Sequence, residues 1–305
     1  AYNCAGEQMP VHEDAKNAIS FIKKSHKAGK PFFINLWIHE PHTPFHTVPK
    51  YRWRFKDLDV ADNIYASVLS HADDRIGEVL ASLDRLKISD NTLVVFTSDN
   101  GPARAAGPVQ LSLMHDTATG AGFGIGGAKG VTGGRKGYKG ALFEGGIGVP
   151  FIARWPGKIA AGKVDGSSLI SAVDLLPTFC EIAGAELPSD YKPDGLSQVE
   201  TLRGKTKTKR EKPLFWKMDA SWPAQKSRQN HWVAYAVVDQ NWKMVTNHNS
   251  SHIELYNISG DPFEKTDLKE AQSAVVARMS KQLTAWKATL PDGPDKSCFS
   301  KERSQ

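Results

Sequence analysis

The run Leu93-Val94-Val95-Phe96, followed at once by Thr97-Ser98-Asp99-Asn100-Gly101-Pro102, sets the tightest limit on what this chain can fold into. An apolar, β-branched run of this length reads as a buried strand of a parallel sheet. In open α/β sheets, ligands bind at the carboxyl ends of the strands. There the chain sets a carboxylate beside a carboxamide, whose oxygens suit a hard cation such as Ca²⁺ or Mg²⁺. Asp-Asn-Gly is also an ordinary turn sequence, so its meaning depends on the segments around it.

Those segments alternate. Asp14 can cap a helix reaching about Lys24, with Ala15, Ala18, Ile19 and Ile22 on one face. Phe32-Phe33-Ile34-Asn35-Leu36-Trp37 reads as a short strand. Residues 62–86 form the clearest helix, with Ile64, Val68, Ala72, Ile76, Leu80 and Leu83 in register. Residues 101–135 are rich in Gly, Ala, Ser and Thr and read as a long loop of functional character. Phe151-Ile152-Ala153-Arg154-Trp155 is another strand, and Asp174 opens a helix over 175–183 that Gly184 closes. This order predicts a mostly parallel sheet flanked by helices. Beyond a boundary near 200–212 the texture changes. Short strand-like runs at 213–216, 232–238, 242–245 and 253–256 predict a small antiparallel sheet, and 270–287 predicts a final helix. The expected division is an α/β core over 1–205 and an antiparallel subdomain over 206–305.

The net charge of +6 is concentrated in Arg203-Gly-Lys205-Thr-Lys207-Thr-Lys209-Arg210-Glu-Lys212. Such a run reads as a solvated surface loop, so no nucleic-acid partner is expected. No apolar run is long enough to span a bilayer, so no membrane partner is expected either. The opening Ala1-Tyr2-Asn3-Cys4 has neither a starting Met nor a signal-peptide pattern and reads as a processed or truncated product. Cys4, Cys180 and Cys298 have no metal-site spacing, and three thiols allow at most one disulfide.

Two loops join the opening motif. In His39-Glu40-Pro41-His42-Thr43-Pro44, prolines on both sides hold His42 outward, where it can donate a proton or hydrogen bond to an anion. In Gly137-Tyr138-Lys139-Gly140-Ala141-Leu142-Phe143-Glu144-Gly145-Gly146, Lys139 is a point charge among glycines that let a ligand approach the backbone.

In this order, and continued by Trp155-Pro156-Gly157, Asp174-Leu175-Leu176-Pro177-Thr178, Asp194-Gly195-Leu196-Ser197 and Glu254-Leu255-Tyr256-Asn257…Asp261-Pro262…Glu264…Asp267-Leu268, the chain resembles the sulfatase family of the alkaline-phosphatase superfamily. The likeness is greatest to arylsulfatase-like and carbohydrate-type members and covers nearly the whole sequence. It implies a sulfuric ester hydrolase acting on a sulfated small molecule or glycan. Asp99 and Asn100 match two ligands of the family's divalent cation, usually Ca²⁺ with Mg²⁺ as the alternative. His42 matches the histidine that contacts the sulfate ester and protonates the leaving alcohol. Lys139 matches the lysine on the sulfate oxygens. The family's compartments are periplasmic, secreted or lysosomal.

The family attacks sulfur with a formylglycine made from a Cys/Ser-x-Pro/Ala-x-Arg segment. None of the three cysteines begins such a segment. Ser221-Trp222-Pro223-Ala224-Gln225 approaches it but ends in Gln. Asp73-Asp74 imitates the family's Asp-Asp metal pair, yet lies within the 62–86 helix, where neighbours point apart. The resemblance is thus to the C-terminal portion of a sulfatase, expected to be inactive alone, with the N-terminal segment either cut away from a longer chain or encoded as a separate one. Gly148 is a smaller departure, standing where many relatives carry Arg. Two other readings remain: a non-catalytic sulfatase-like binding protein, and a related phospho- or phosphonate ester hydrolase.

Overall fold

The computed structural model describes residues 9–103, 110–116, 120–126, 130–205, 210–218, 232–291 and 293. The chain divides into two compact units, one of residues 1–133, 148–164 and 202–204, the other of residues 134–147, 165–201 and 205–305.

The first unit is built on two helices, α1 (Pro10–Lys27) and α3 (Val60–Arg85), with the short α2 (Pro49–Arg54) beside α3. Helix α1 starts four residues before Asp14 because Pro10 occupies its first turn, where a missing N–H and a fixed φ cost nothing. Helix α3 starts at Val60 because the Asp59 carboxylate accepts the Asp62 N–H at 2.9 Å. Its apolar stripe buries Ala61, Ile64 and Val68 against Phe45, and Ala72 against Tyr51, Val48, Met9 and Val11. Asp74 lies on this helix and accepts the Tyr51 hydroxyl at 2.7 Å, a structural contact.

Strand β1 (Val94–Thr97) pairs antiparallel with β4 (Phe151–Arg154), Val94 opposite Arg154 and Thr97 opposite Phe151. This is the only ladder of β1 among the described residues, and it leaves Phe96 and Ile152 exposed. The strand expected at residues 32–37 does not form: that run has no ladder, and Phe33 and Trp37 are exposed. A strand exists only through pairing, and the described residues bring no neighbour to it. The loop expected over 101–135 contains a hairpin, β2 (Gln110–Asp116) with β3 (Gly120–Gly126). It docks through paired Phe45 and Phe123 backbones, with N–H to O distances of 2.7 and 2.8 Å.

His71, on α3, is only 2% exposed and packs on the Tyr51 ring, with no hydrogen-bond partner at Nδ1 among the described residues. Burial first, then Arg75, His12 and Lys50, lowers its pKa to about 4. The unfolded chain therefore binds the extra proton first as pH falls. The stability contributed by neutral His71 is complete above about pH 6.5 and is lost toward pH 4, to a total of roughly 3 kcal/mol. Urea titrations across this window should show that loss in the wild type and a flatter profile in His71→Leu. Superimposable profiles would overturn the assignment.

The second unit centres on the antiparallel sheet β5 (Leu214–Lys217), β6 (Tyr235–Asp239), β7 (Trp242–Thr246) and β8 (Ile253–Asn257), in that order. One face, with Tyr235, Val237, Met244 and Leu255, packs on Met279 and Leu283 of the C-terminal helix α6 (Ser273–Lys287). The opposite face carries Ala236, Val245 and Tyr256 and is covered by Leu142 and Phe143. Coverage on both faces explains why β6 is buried at every position instead of alternating. Helix α5 (Leu175–Ala183) ends at left-handed Gly184, as its sequence predicts.

Arg210 departs from the expected solvated basic loop. Its side chain is 3% exposed and makes two bonds to the fully buried Asp174 carboxylate, at 2.8 and 2.9 Å. The Ser171 and Leu196 N–H groups, each 2.8 Å away, complete that carboxylate. The charge run is interrupted because a carboxylate buried by the fold requires a cation. Cys180 is a free thiol; Cys4, Cys298 and the 221–225 segment lie outside the described residues.

Candidate functional site

Asp99 and Asn100 directly follow the carboxyl end of β1. The apolar strand stops at Thr97, and a polar turn begins. Asp99 Oδ1 accepts the Asn100 N–H at 2.9 Å, and Ser98 Oγ donates to the Asn100 carbonyl at 3.1 Å. Asn100 Nδ2 donates to the Gly101 carbonyl at 2.8 Å. One carboxylate oxygen and the amide oxygen therefore accept no hydrogen bond among the described residues. They are hard donors of the type Ca²⁺ takes, but only two of the six to eight it needs. No group of three or more His, Cys, Asp and Glu side chains able to hold a metal occurs among the described residues.

His42 is exposed in the loop before α2. Its Nδ1 lies 2.7 Å from the Thr43 carbonyl. A carbonyl only accepts, so Nδ1 carries the proton and Nε2 is the acceptor of the neutral ring. The His39 ring stands 5.6 Å away. His46, in the same loop, is held below the usual histidine range by burial and by His39. Burial pushes the Glu40 carboxyl up. An open groove of about 420 Å³ between α1 and residues 33–37 contains none of the four candidate residues.

Lys139 belongs to the second unit. The Ala141 N–H donates to the Tyr138 carbonyl at 2.9 Å, closing a tight turn with Lys139 and Gly140 at its tip. Gly140 takes the left-handed conformation (φ 83°) such a turn requires. The short helix α4 (Glu144–Ile147) backs onto this turn, with the Gly145 N–H donating to the Lys136 carbonyl at 2.7 Å. Three residues absent from the sequence-based site hold this segment: Lys136, Lys243 and Glu264. One signal was available, because a lone lysine in the apolar run Trp242-Lys243-Met244-Val245 points to a buried partner. His42, Asp99 and Asn100 thus share one unit, and Lys139 is built into the other.

The helices and the β1–β4 ladder, with a small C-terminal antiparallel sheet and helix, are the architecture of an alkaline-phosphatase-like α/β protein. The sulfatase profile matches residues 1–185, and that for the C-terminal part of N-sulphoglucosamine sulphohydrolase matches residues 136–289. The chain belongs to the sulfatase family. It is 30% identical over 271 residues to the N-acetylgalactosamine-6-O-sulfatase of Bacteroides thetaiotaomicron, covering 88% of this chain and 49% of that protein. Among solved structures, Ps i-CgsB matches with a TM-score of 0.71 at 25% identity, over 90% of this chain and 54% of that one. The PsFucS1 sulfatase from Pseudoalteromonas sp. matches with a TM-score of 0.63 at 25% identity, over 90% and 52%. The chain spans about half the length of the curated relatives it matches. No described helix is long and apolar enough to cross a membrane.

Proposed function

We propose that this chain supplies part of the active site of an arylsulfatase-like enzyme that hydrolyses the sulfate ester of a small molecule or glycan in a periplasmic, secreted or lysosomal compartment. The observation that carries this reading is the pair of hard oxygens on Asp99 and Asn100 at the end of β1 that accept no hydrogen bond among the described residues, in a chain of this family. These two residues would hold the divalent cation, Ca²⁺ or Mg²⁺. When bound, the cation supplies fixed positive charge beside the sulfuryl group.

The other roles follow from the ester's chemistry. As the S–O bond breaks, negative charge grows on the bridging oxygen. His42 holds Nδ1–H on the Thr43 carbonyl. Nε2 is therefore the nitrogen that gains and loses a proton, and in the imidazolium form its N–H passes that proton to the leaving alcohol, so that no bare alkoxide is expelled and the ring returns to neutral. The Lys139 ammonium holds a sulfate oxygen and stabilises the developing charge. The formylglycine precursor segment is not among the 305 residues. The nucleophile and the other cation ligands would come from a segment outside these 305 residues. The exposed Phe96 and Ile152 of the β1–β4 ladder support that reading.

Calorimetry and an aryl-sulfate assay test it. The pure chain should bind Ca²⁺ with a Kd on the order of 10⁻³ M or weaker, lose that binding in Asp99→Ala, and give no turnover. Addition of a polypeptide carrying the nucleophile segment of this fold should produce turnover, which His42→Ala and Lys139→Ala remove. Tight stoichiometric Ca²⁺ binding that survives Asp99→Ala, or turnover by the pure chain, would overturn the reading.

A further inference from the structure

We propose that Lys243 and Lys136 are positioning residues for Lys139, which clamp the two ends of its loop onto one face of the C-terminal sheet. Lys243, on β7, has a fully buried side chain whose Nζ lies 2.8 Å from Glu144 Oε1 and 3.0 Å from Glu264 Oε1. Glu264 also accepts the Glu144 backbone N–H at 2.6 Å. At the other end, Lys136 Nζ donates to Glu254 Oε2 at 2.9 Å and to the Tyr256 hydroxyl at 2.8 Å. The same ammonium lies 4.2 Å from the centre of the Phe143 ring. Between these anchors lies the turn with Lys139 at its tip.

The chemistry of the anchors separates positioning from filling. Lys243 faces two carboxylates, Glu264, whose side chain is as fully buried as its own, and the partly exposed Glu144. A buried ion pair of this kind adds little stability over an apolar side chain of the same size. Methionine could occupy the Lys243 site, but it could not hold the Glu144 carboxylate. Glu264 adds a second sign. Its backbone takes the left-handed region (φ 54°), a conformation a non-glycine residue keeps only where its surroundings impose it. Here that conformation accompanies one carboxylate bound to both the Lys243 ammonium and the Glu144 amide. Burial raises the Glu264 pKa and Lys243 opposes the rise, as expected of a carboxylate kept from water by its partner.

The functional meaning of the clamp rests on the sulfate contact proposed for Lys139. Amide exchange requires no sulfate ester, so the clamp and that contact can fail separately. Native-state hydrogen exchange on the 305-residue chain, wild type against Lys243→Met, is the test. The Ala141, Gly145 and Gly146 amides, which bond within the loop, should exchange about tenfold faster in the variant. The Ala234 and Ile258 amides, which bond to Thr246 and Asn241 in the sheet region, should stay within about twofold. Glu264→Gln keeps the side-chain volume and gives a second reading in the same direction should Lys243→Met not fold. Wild-type loop rates in either folded variant would overturn the proposal. So would equal acceleration of loop and sheet amides, which marks a residue that only holds the unit together.

Discussion

Arg210→Ala is expected to destabilise the second unit by about 3–5 kcal/mol, the cost of leaving one member of a buried ion pair without its partner. Asp174 is fully buried, and its oxygens take four bonds, two from the Arg210 guanidinium and one each from the Ser171 and Leu196 amides. Removing the guanidinium leaves two amides facing a carboxylate that no water reaches. The site cannot relax cheaply. A Cβ on Gly195 would stand 2.0 Å from the Val173 carbonyl oxygen, so residues 194–196 already press on the Asp174 backbone. Thr178 extends the same joint, donating to the Asp174 carbonyl at 2.6 Å and accepting the Gln198 amide at 2.9 Å. Urea denaturation with an unchanged m-value should report the loss. A cost under about 1 kcal/mol would mean that the pair is solvated in solution. Asp174→Ala should cost a similar amount, and the double variant much less than the sum, because it leaves no buried charge unpaired.

That joint also explains why the sequence was legible in some places and not in others. Periodicity and end signals are local. They sufficed for α3, for α5 with its closing Gly184, for the four strands of the C-terminal sheet and for α6. They failed where the next residue does not carry the cause. In β3, Gly120-Ala121-Gly122-Phe123-Gly124-Ile125-Gly126, every second side chain is absent, so a strand reads as a loop. Residues 32–37 have the pattern of a strand but form no ladder among the described residues. At the candidate site, His42, Asp99, Asn100 and Lys139 could be proposed from the sequence because each lies in a short motif of distinctive chemistry. The residues that hold Lys139 were not, because Lys136 reaches Glu254 and Tyr256 across 118 and 120 residues of chain. Glu254 and Glu264 stood out only as parts of a family signature. The structure gives them a physical task on the face of the sheet beneath the Lys139 loop.

Gly146→Ala should be the most damaging small substitution at the candidate site, because the added methyl group has nowhere to go. Its carbon would lie 2.1 Å from the Ala141 carbonyl oxygen and 2.7 Å from that of Tyr138. Both obstacles are backbone, and both belong to the turn that carries Lys139. At Gly145 the same carbon would meet the Gly137 and Lys136 carbonyl oxygens at 2.3 and 2.6 Å. Side chains can rotate aside, but these carbonyls are fixed. The Tyr138 carbonyl accepts the Ala141 amide, and the Lys136 carbonyl accepts the Gly145 amide. To admit the methyl group, α4 must lift from the turn, which strains the Glu144 contacts with Lys243 and Glu264 and uncovers Phe143 in the core. Overpacking against unyielding backbone is expected to cost about 3 kcal/mol or more, a fall in Tm of roughly 6–12 °C. Gly166→Ala is the control, since nothing lies within 4 Å of its added carbon; it should shift stability by no more than about 0.5 kcal/mol. Equal melting temperatures for Gly146→Ala and the wild type would mean that α4 does not back onto the Lys139 turn in solution. The Glu-Gly-Gly sequence would then need another cause. With the expected loss, its two glycines are the contact surface that lets a helical turn brace the lysine proposed to hold sulfate.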